Sequence, residues 1–323
     1  MQARNWSPFQ LKKGVGRSGH IADRLGPTAA DPCPCDSGRK AQHCCAVGDG
    51  LFNRRPMTIK RSAVVTGYAN PGCYASGLYD CDHKLSREHY ISQALLKELG
   101  GAPIVSGLPW QQGPNKLGSK TMAAKVLCER HNGMLSPLDQ VGGRFFKALS
   151  LDTDHGLWLS HRQLVLFAGE DVERWLLKAL LGAAFSGNLP HGGDRFPPNG
   201  SPPPSWLEIL FGLQEMPGMA GLYWLEQPAT PMKLERRFGF APVYLQHQSL
   251  IQLVGCYARF VGASFILLME PGAAGDPRLE GSVHRPAILS FVDGEHEMQI
   301  AISFQGRQSG VHLITEMQPF LGP

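Results

Sequence analysis

The sequence predicts an α+β protein built from two small cysteine-anchored modules and a larger carboxyl-terminal α+β domain with an antiparallel sheet. Three observations lead there. Seven of the eight cysteines in 323 residues fall in two groups: four between positions 33 and 45, and Cys73, Cys81 and Cys128 around one later segment. Residues 171–185, DVERWLLKALLGAAF, place Val172, Trp175, Leu176, Ala179, Leu180 and Ala183 at helical spacing, with Glu173 and Lys178 expected on other faces. From Pro242 onward, PVYLQHQSLIQLVGCYARFVGASFILLME, RPAILSFVDG and EMQIAISF read as strands joined by tight turns, one of them at Asp293-Gly294. With 43% apolar residues and no low-complexity majority, the chain can bury a substantial core.

Charge is distributed unevenly. Residues 1–61 carry eleven Lys/Arg and four Asp, a balance of +7 that leaves −3 for the rest of a chain whose net charge is +4. Residues 1–30 read as a basic flexible tail suited to solubility or to phosphate backbones. They contain no apolar run of signal-peptide type. The most apolar stretch, 250–269, would place Arg259 near the middle of a bilayer at about 2.5–3.5 kcal/mol, and its Gly-punctuated, β-branched texture fits two strands instead of a membrane span. The expectation is a cytoplasmic protein with no membrane partner, in whose reducing surroundings clustered cysteines serve as metal ligands.

The segment DPCPCDSGRKAQHCC at 31–45 sets Cys33 and Cys35 one residue apart and Cys44 beside Cys45, with a Ser37-Gly38 turn between the pairs. A chain doubling back there brings four sulfurs together. Tetrahedral zinc binds four thiolates at about 2.3 Å, and a closed shell of this kind is structural because it leaves no position for substrate. Adjacent cysteines make poor disulfides. The spacing resembles the SEC-C motif found at the carboxyl terminus of the SecA translocation ATPase. The resemblance implies a small zinc module over 31–47 with Cys33, Cys35, Cys44 and Cys45 as ligands. It also implies Arg39 and Lys40 on the exposed turn and docking onto a protein or nucleic-acid partner. The usual glycine after the second cysteine is Asp36 here.

The second group lies in GCYASGLYDCDHKLSREHYIS at 72–92 and KVLCERHNGMLSPLD at 125–139. Cys128-x-x-His131 has knuckle spacing, and with Cys73 and Cys81 it completes a second zinc set. His83 competes through its Cys-x-His spacing, but a strand-turn-strand between Cys73 and Cys81 would bring those two side chains to one end of a hairpin. Between the ligands stand Glu88-His89, and Asn132 follows the knuckle directly. A helix is expected beyond it, capped by Ser136, with Pro137 in its first turn, Asp139 facing its positive end, and Leu138, Phe145 and Leu149 buried.

This order, over roughly 72–149 of a domain expected to span 62–150, resembles the HNH, or ββα-metal, endonucleases that carry a structural zinc. The resemblance implies that His89 is the general base and that Glu88 and Asn132 hold a catalytic divalent ion, magnesium or manganese rather than zinc. Phosphodiester hydrolysis needs a base for the attacking water and positive charge at the departing oxygen, which are the roles assigned to these groups. Arg87, Lys84 and Arg130 border the site as candidate phosphate contacts. The family's central Asn has no clear counterpart; Asn115, Ser119 and Thr121 are stand-ins, and residues 98–118 would form an inserted loop. The implied substrate is DNA ahead of RNA. The alternative reading is a zinc-stapled adaptor or nucleic-acid-binding module with no turnover.

The rest, 151–323, yields no role from sequence. PHGGDRFPPNGSPPPS at 190–205 reads as a loop or linker. Cys256 reads as a small buried apolar residue, and His247, His284 and His296 lack ligand spacing.

Overall fold

The computed structural model describes residues 4–5, 28–48, 51–61, 64–100, 104–105, 113–150, 163–191, 194–195, 201–225, 238–247, 250–261, 263–293, 296–305 and 311–316. Most of the expected basic tail and much of the 98–118 loop lie outside the described residues. The longer elements are β1 (Leu85–His89), α1 (Gln93–Glu98), β2 (Ala123–Cys128), α2 (Glu129–Ser150), β3 (Gln163–Ala168), α3 (Gly169–Phe185), α4 (Pro204–Leu210), β4 (Gly221–Leu225), β5 (Phe238–His247), β6 (Leu250–Phe260), β7 (Ala263–Leu268), β8 (Ile288–Asp293), β9 (His296–Ser303) and β10 (Val311–Glu316).

One sheet, in the order β5-β6-β7-β4 with the short strand Val283–His284 at its end, is antiparallel throughout. Residues 250–269 supply its β6-β7 hairpin, closed where Phe260 faces Ala263, as their texture suggests. This first sheet is the antiparallel sheet the sequence predicts; the second sheet, not anticipated, runs Arg4–Asn5, β10, β8, β9, β3 and is mixed. β8 and β9 form the anticipated hairpin, with Asp293 opposite His296, but β10 pairs parallel to β8 and β3 parallel to β9. β3 and β9 are far apart in sequence, and a long crossover permits the parallel arrangement that a tight turn forbids. Inside the expected 190–205 linker, Pro190–His191 pairs with Asp194–Arg195, and α4 begins at Pro204.

α3 is buried on all sides, packed between α2 and the antiparallel sheet. Glu173 and Lys178, on faces other than the expected apolar stripe, are therefore buried too, where a charge must be paired. Arg285 donates to both Glu173 carboxylate oxygens, at 2.8 and 2.9 Å, and the Leu222 amide donates to Oε1 at 2.8 Å. Arg174 pairs with Asp171 one turn earlier. The apolar cluster is continuous from Ile59 to Phe304, so α2 shares its core with both carboxyl-terminal sheets. Phe145 sits at this junction, edge-on to Phe167, Phe260 and Phe265 with ring centroids 5.2–5.6 Å apart.

α2 begins at Glu129, seven residues before the expected cap, so Ser136 and Pro137 lie inside the helix. Pro137 has no amide to give the Gly133 carbonyl; the Ser136 hydroxyl donates to that carbonyl instead, at 3.0 Å. The Ser-Pro pair that reads as a start is thus a repaired interior. α2 and α3 meet at Gly142, where an added Cβ would overlap the Trp175 indole. Gly142→Ala is expected to destabilise the fold by about 1–3 kcal/mol despite alanine's better helix propensity, read as a lower midpoint in urea.

Candidate functional site

Two cysteine-rich constellations form as the spacing indicates. Cys33, Cys35, Cys44 and Cys45 place their sulfurs within 4.8 Å of one another, as do Cys73, Cys81, Cys128 and His131 with their ligand atoms. Sulfur separations of 3.5 Å for Cys35–Cys44 and 3.6 Å for Cys44–Cys45 are far from a disulfide bond of about 2.05 Å and near the edge of roughly 3.8 Å for a tetrahedron with 2.3 Å zinc–sulfur bonds. In the second set, His131 Nδ1 stands 3.4 Å from Cys73 and Cys128 and 3.7 Å from Cys81. All eight cysteines are free thiols. In each set one thiol falls to about 3, Cys35 because Cys45 hydrogen-bonds to it and Cys128 because Cys73 does, while the donating partner is pushed up. Packing sulfurs this closely without a cation resists deprotonation of all of them, and a divalent ion removes the conflict. Both clusters could hold zinc.

Local structure explains the convergence. Asp36 adopts the left-handed region, φ 60°, the conformation that favours glycine at this point of the turn. Arg39 and Lys40 are exposed, as the resemblance implied, and Arg39 Nη2 approaches Cys44 Sγ at 3.6 Å. The module is fastened to the second sheet. The Leu166 amide of edge strand β3 donates to the Pro34 carbonyl at 3.0 Å, Arg54 donates to the Cys35 carbonyl at 2.7 Å, and the cysteine cluster packs on Leu166 and Ala301.

In the second set, Cys73 joins the cluster and His83 does not: the His83 ring lies against Tyr68, centroids 4.3 Å apart. The link from Cys73 to Cys81 is not the expected strand-turn-strand but a 3-10 turn at Ser76–Leu78, followed by Tyr79 at φ 52°. Buried Asn70 holds this loop, donating to the Asp82 and His83 carbonyls at 3.0 Å and accepting from the Gly72 amide at 3.0 Å. Sequence reasoning missed Asn70; an Asn-Pro-Gly run just before a cysteine was the available signal. Full loading predicts two zinc ions per chain by elemental analysis; a single ion would remove one of these sets.

β1 and β2 pair antiparallel, and β2 leads directly into α2. A bulge opposite Arg87 separates the Ser86–Leu127 and Glu88–Ala124 pairs. Glu88, His89 and Asn132 all line one cavity of about 490 Å³, bounded by β1, α1 and the first turns of α2, with Lys97, Ser136 and Asp139 also on its wall. Glu88 is buried, and burial pushes its carboxyl up to about 7 against the opposing pull of Lys178. Burial holds the half-buried His89 imidazole below its ordinary value, which favours its neutral form.

Lys178 reaches this wall from α3, its ammonium 2.5 Å from Glu88 Oε1, an ion pair outside hydrogen-bond geometry, and 2.7 Å from Asp139 Oδ2 as a hydrogen bond. Asp139 therefore serves this pair and not the helix start. Sequence reasoning placed Lys178 only off the apolar stripe of its helix, although a lone cation inside WLLKALLGAAF was a signal of burial. Two of the candidate phosphate contacts are engaged elsewhere: Arg130 with Asp80 at 2.7 Å and Lys84 with Glu129 at 2.6 Å. Arg87, on the cavity wall, donates to the Lys120 carbonyl at 3.1 Å. Asn115 is exposed and donates to Gly113, and the Thr121 carbonyl accepts from Tyr90 Oη at 3.3 Å; the Ser119 side chain lies outside the described residues.

No helix among the described residues is long and apolar enough to cross a membrane. No curated protein and no solved structure matches the chain. Residues 30–46 match the SEC-C motif, so the four thiols of Cys33, Cys35, Cys44 and Cys45 belong to a zinc-binding motif of that kind.

Proposed function

We propose that the protein is a metal-dependent endonuclease of HNH type that hydrolyses phosphodiester bonds in DNA, with the SEC-C module docking a nucleic-acid or protein partner. The observation that carries this reading is the meeting of Glu88, His89 and Asn132 on one cavity wall, framed by a strand pair and a helix whose junction holds a four-ligand cluster. The neutral His89 imidazole takes a proton from the attacking water. Glu88 and the Asn132 amide oxygen offer hard oxygen donors, and Asp139 adds a second carboxylate beside the Lys178 ammonium. That set fits magnesium or manganese, which would neutralise charge on the departing oxygen. Arg87 and Lys97 present positive charge at the mouth for the phosphate backbone.

One observation favours the non-enzymatic reading, a zinc adaptor: Glu88 is already paired with Lys178. Incubation of zinc-loaded protein with supercoiled plasmid in Mg²⁺ or Mn²⁺ separates the two. Nicking that EDTA stops supports the nuclease, and intact plasmid in both metals, with two zincs bound, supports the adaptor.

A further inference from the structure

Resting on the reading of Glu88 as an ion ligand, we propose that Lys178 is a positioning residue for this site: a resident counter-cation that holds Glu88 and Asp139 together and sets how tightly a divalent ion binds. Lys178 has a side-chain exposure of 2%, as does Glu88, whereas Asp139 at 26% forms the cavity-facing side of the trio. A buried ammonium is retained only where carboxylates compensate it, and these two come from β1 and α2, the elements that frame the cavity. Lys178 belongs to α3, outside the strand-pair-and-helix unit, so the carboxyl-terminal half of the chain supplies part of the site's charge. Without that ammonium two carboxylates would face each other across the cavity wall. With it the wall stays assembled when no divalent ion is bound, and an entering ion meets a fixed positive charge behind its ligand. The pairing that favours the adaptor reading thereby becomes the device that tunes ion affinity at Glu88.

Mn²⁺ binding to zinc-loaded protein, followed by the EPR signal of free Mn²⁺, tests this without reference to cleavage. Lys178→Met is expected to bind Mn²⁺ at least about tenfold more tightly, since a unit charge a few ångströms from the ion is removed. Its melting temperature should fall without Mn²⁺ and recover with it, and Lys178→Arg should resemble the parent. A lysine that served packing alone would leave affinity unchanged or weaker in Lys178→Met, and that result overturns the proposal. Should Lys178→Met fail to fold, the comparison moves to Lys178→Met/Asp139→Asn against Asp139→Asn, where the same tightening is expected and its absence is equally fatal. Glu88→Gln separates the two levels. Parent binding that Glu88→Gln abolishes upholds the ion-ligand reading even if Lys178→Met shows no tightening, whereas equal binding by parent and Glu88→Gln, or none by either, removes both.

Discussion

His89→Ala is expected to lower plasmid nicking in Mn²⁺ by about 10² to 10⁴-fold, the range of a lost general base. The imidazole is half-buried, and its burial favours the neutral form that a base requires. Its removal at the cavity wall leaves the apolar core around α2 and α3 intact, so the melting temperature and the zinc content should match the parent. Asn132, in the first turn of α2, belongs to the ion side of the same wall, and Asn132→Ala should therefore raise the Mn²⁺ concentration needed for half-maximal nicking. Cleavage by His89→Ala at the parent's rate would take His89 out of the mechanism, whatever the fate of the other residues.

Cys128→Ser is expected to have the largest effect on stability. Cys128 is fully buried at the end of β2 and joins the strand pair to α2 through the shared cluster with Cys73, Cys81 and His131. Structural zinc supplies about 10–16 kcal/mol in small zinc-folded peptides. Here the same elements also share a large apolar core, so the net loss should be smaller, at least about 4 kcal/mol, or a fall in melting temperature of roughly 10 °C. Zinc should drop from two ions to one. Cys256→Ser provides the contrast: that thiol is buried in β6 and belongs to neither cluster. It should lose only about 1–3 kcal/mol and keep both zincs. Equal zinc content in Cys128→Ser and the parent would show that Cys128 is not a ligand.

The cluster residues were legible because each set is mostly local. Cys33, Cys35, Cys44 and Cys45 span a single turn, and Cys128 with His131 a single knuckle, so spacing alone restricts the geometry that four ligand atoms can reach. Cys73 and not His83 enters the cluster, but by another route than the spacing suggested, since the loop between Cys73 and Cys81 is a 3-10 turn held by Asn70 and not a hairpin. The start of α2 was misread because Ser136-Pro137 carries the chemistry of a helix beginning. Only the completed helix shows the serine hydroxyl answering the carbonyl that proline leaves without a donor.

From the sequence alone came the two ligand sets, the α3 helix, the β6-β7 hairpin and the candidate acid, imidazole and amide, all features that neighbouring residues impose through spacing and periodicity. Tertiary structure alone decided that α3 is enclosed, that β3 enters a mixed sheet parallel to β9, and that Lys178 meets Glu88 and Asp139 at one cavity. Those outcomes depend on which distant surfaces exclude water from each other. A buried charge is matched by whatever partner the fold delivers to it, and no local pattern in the chain records that partner's address.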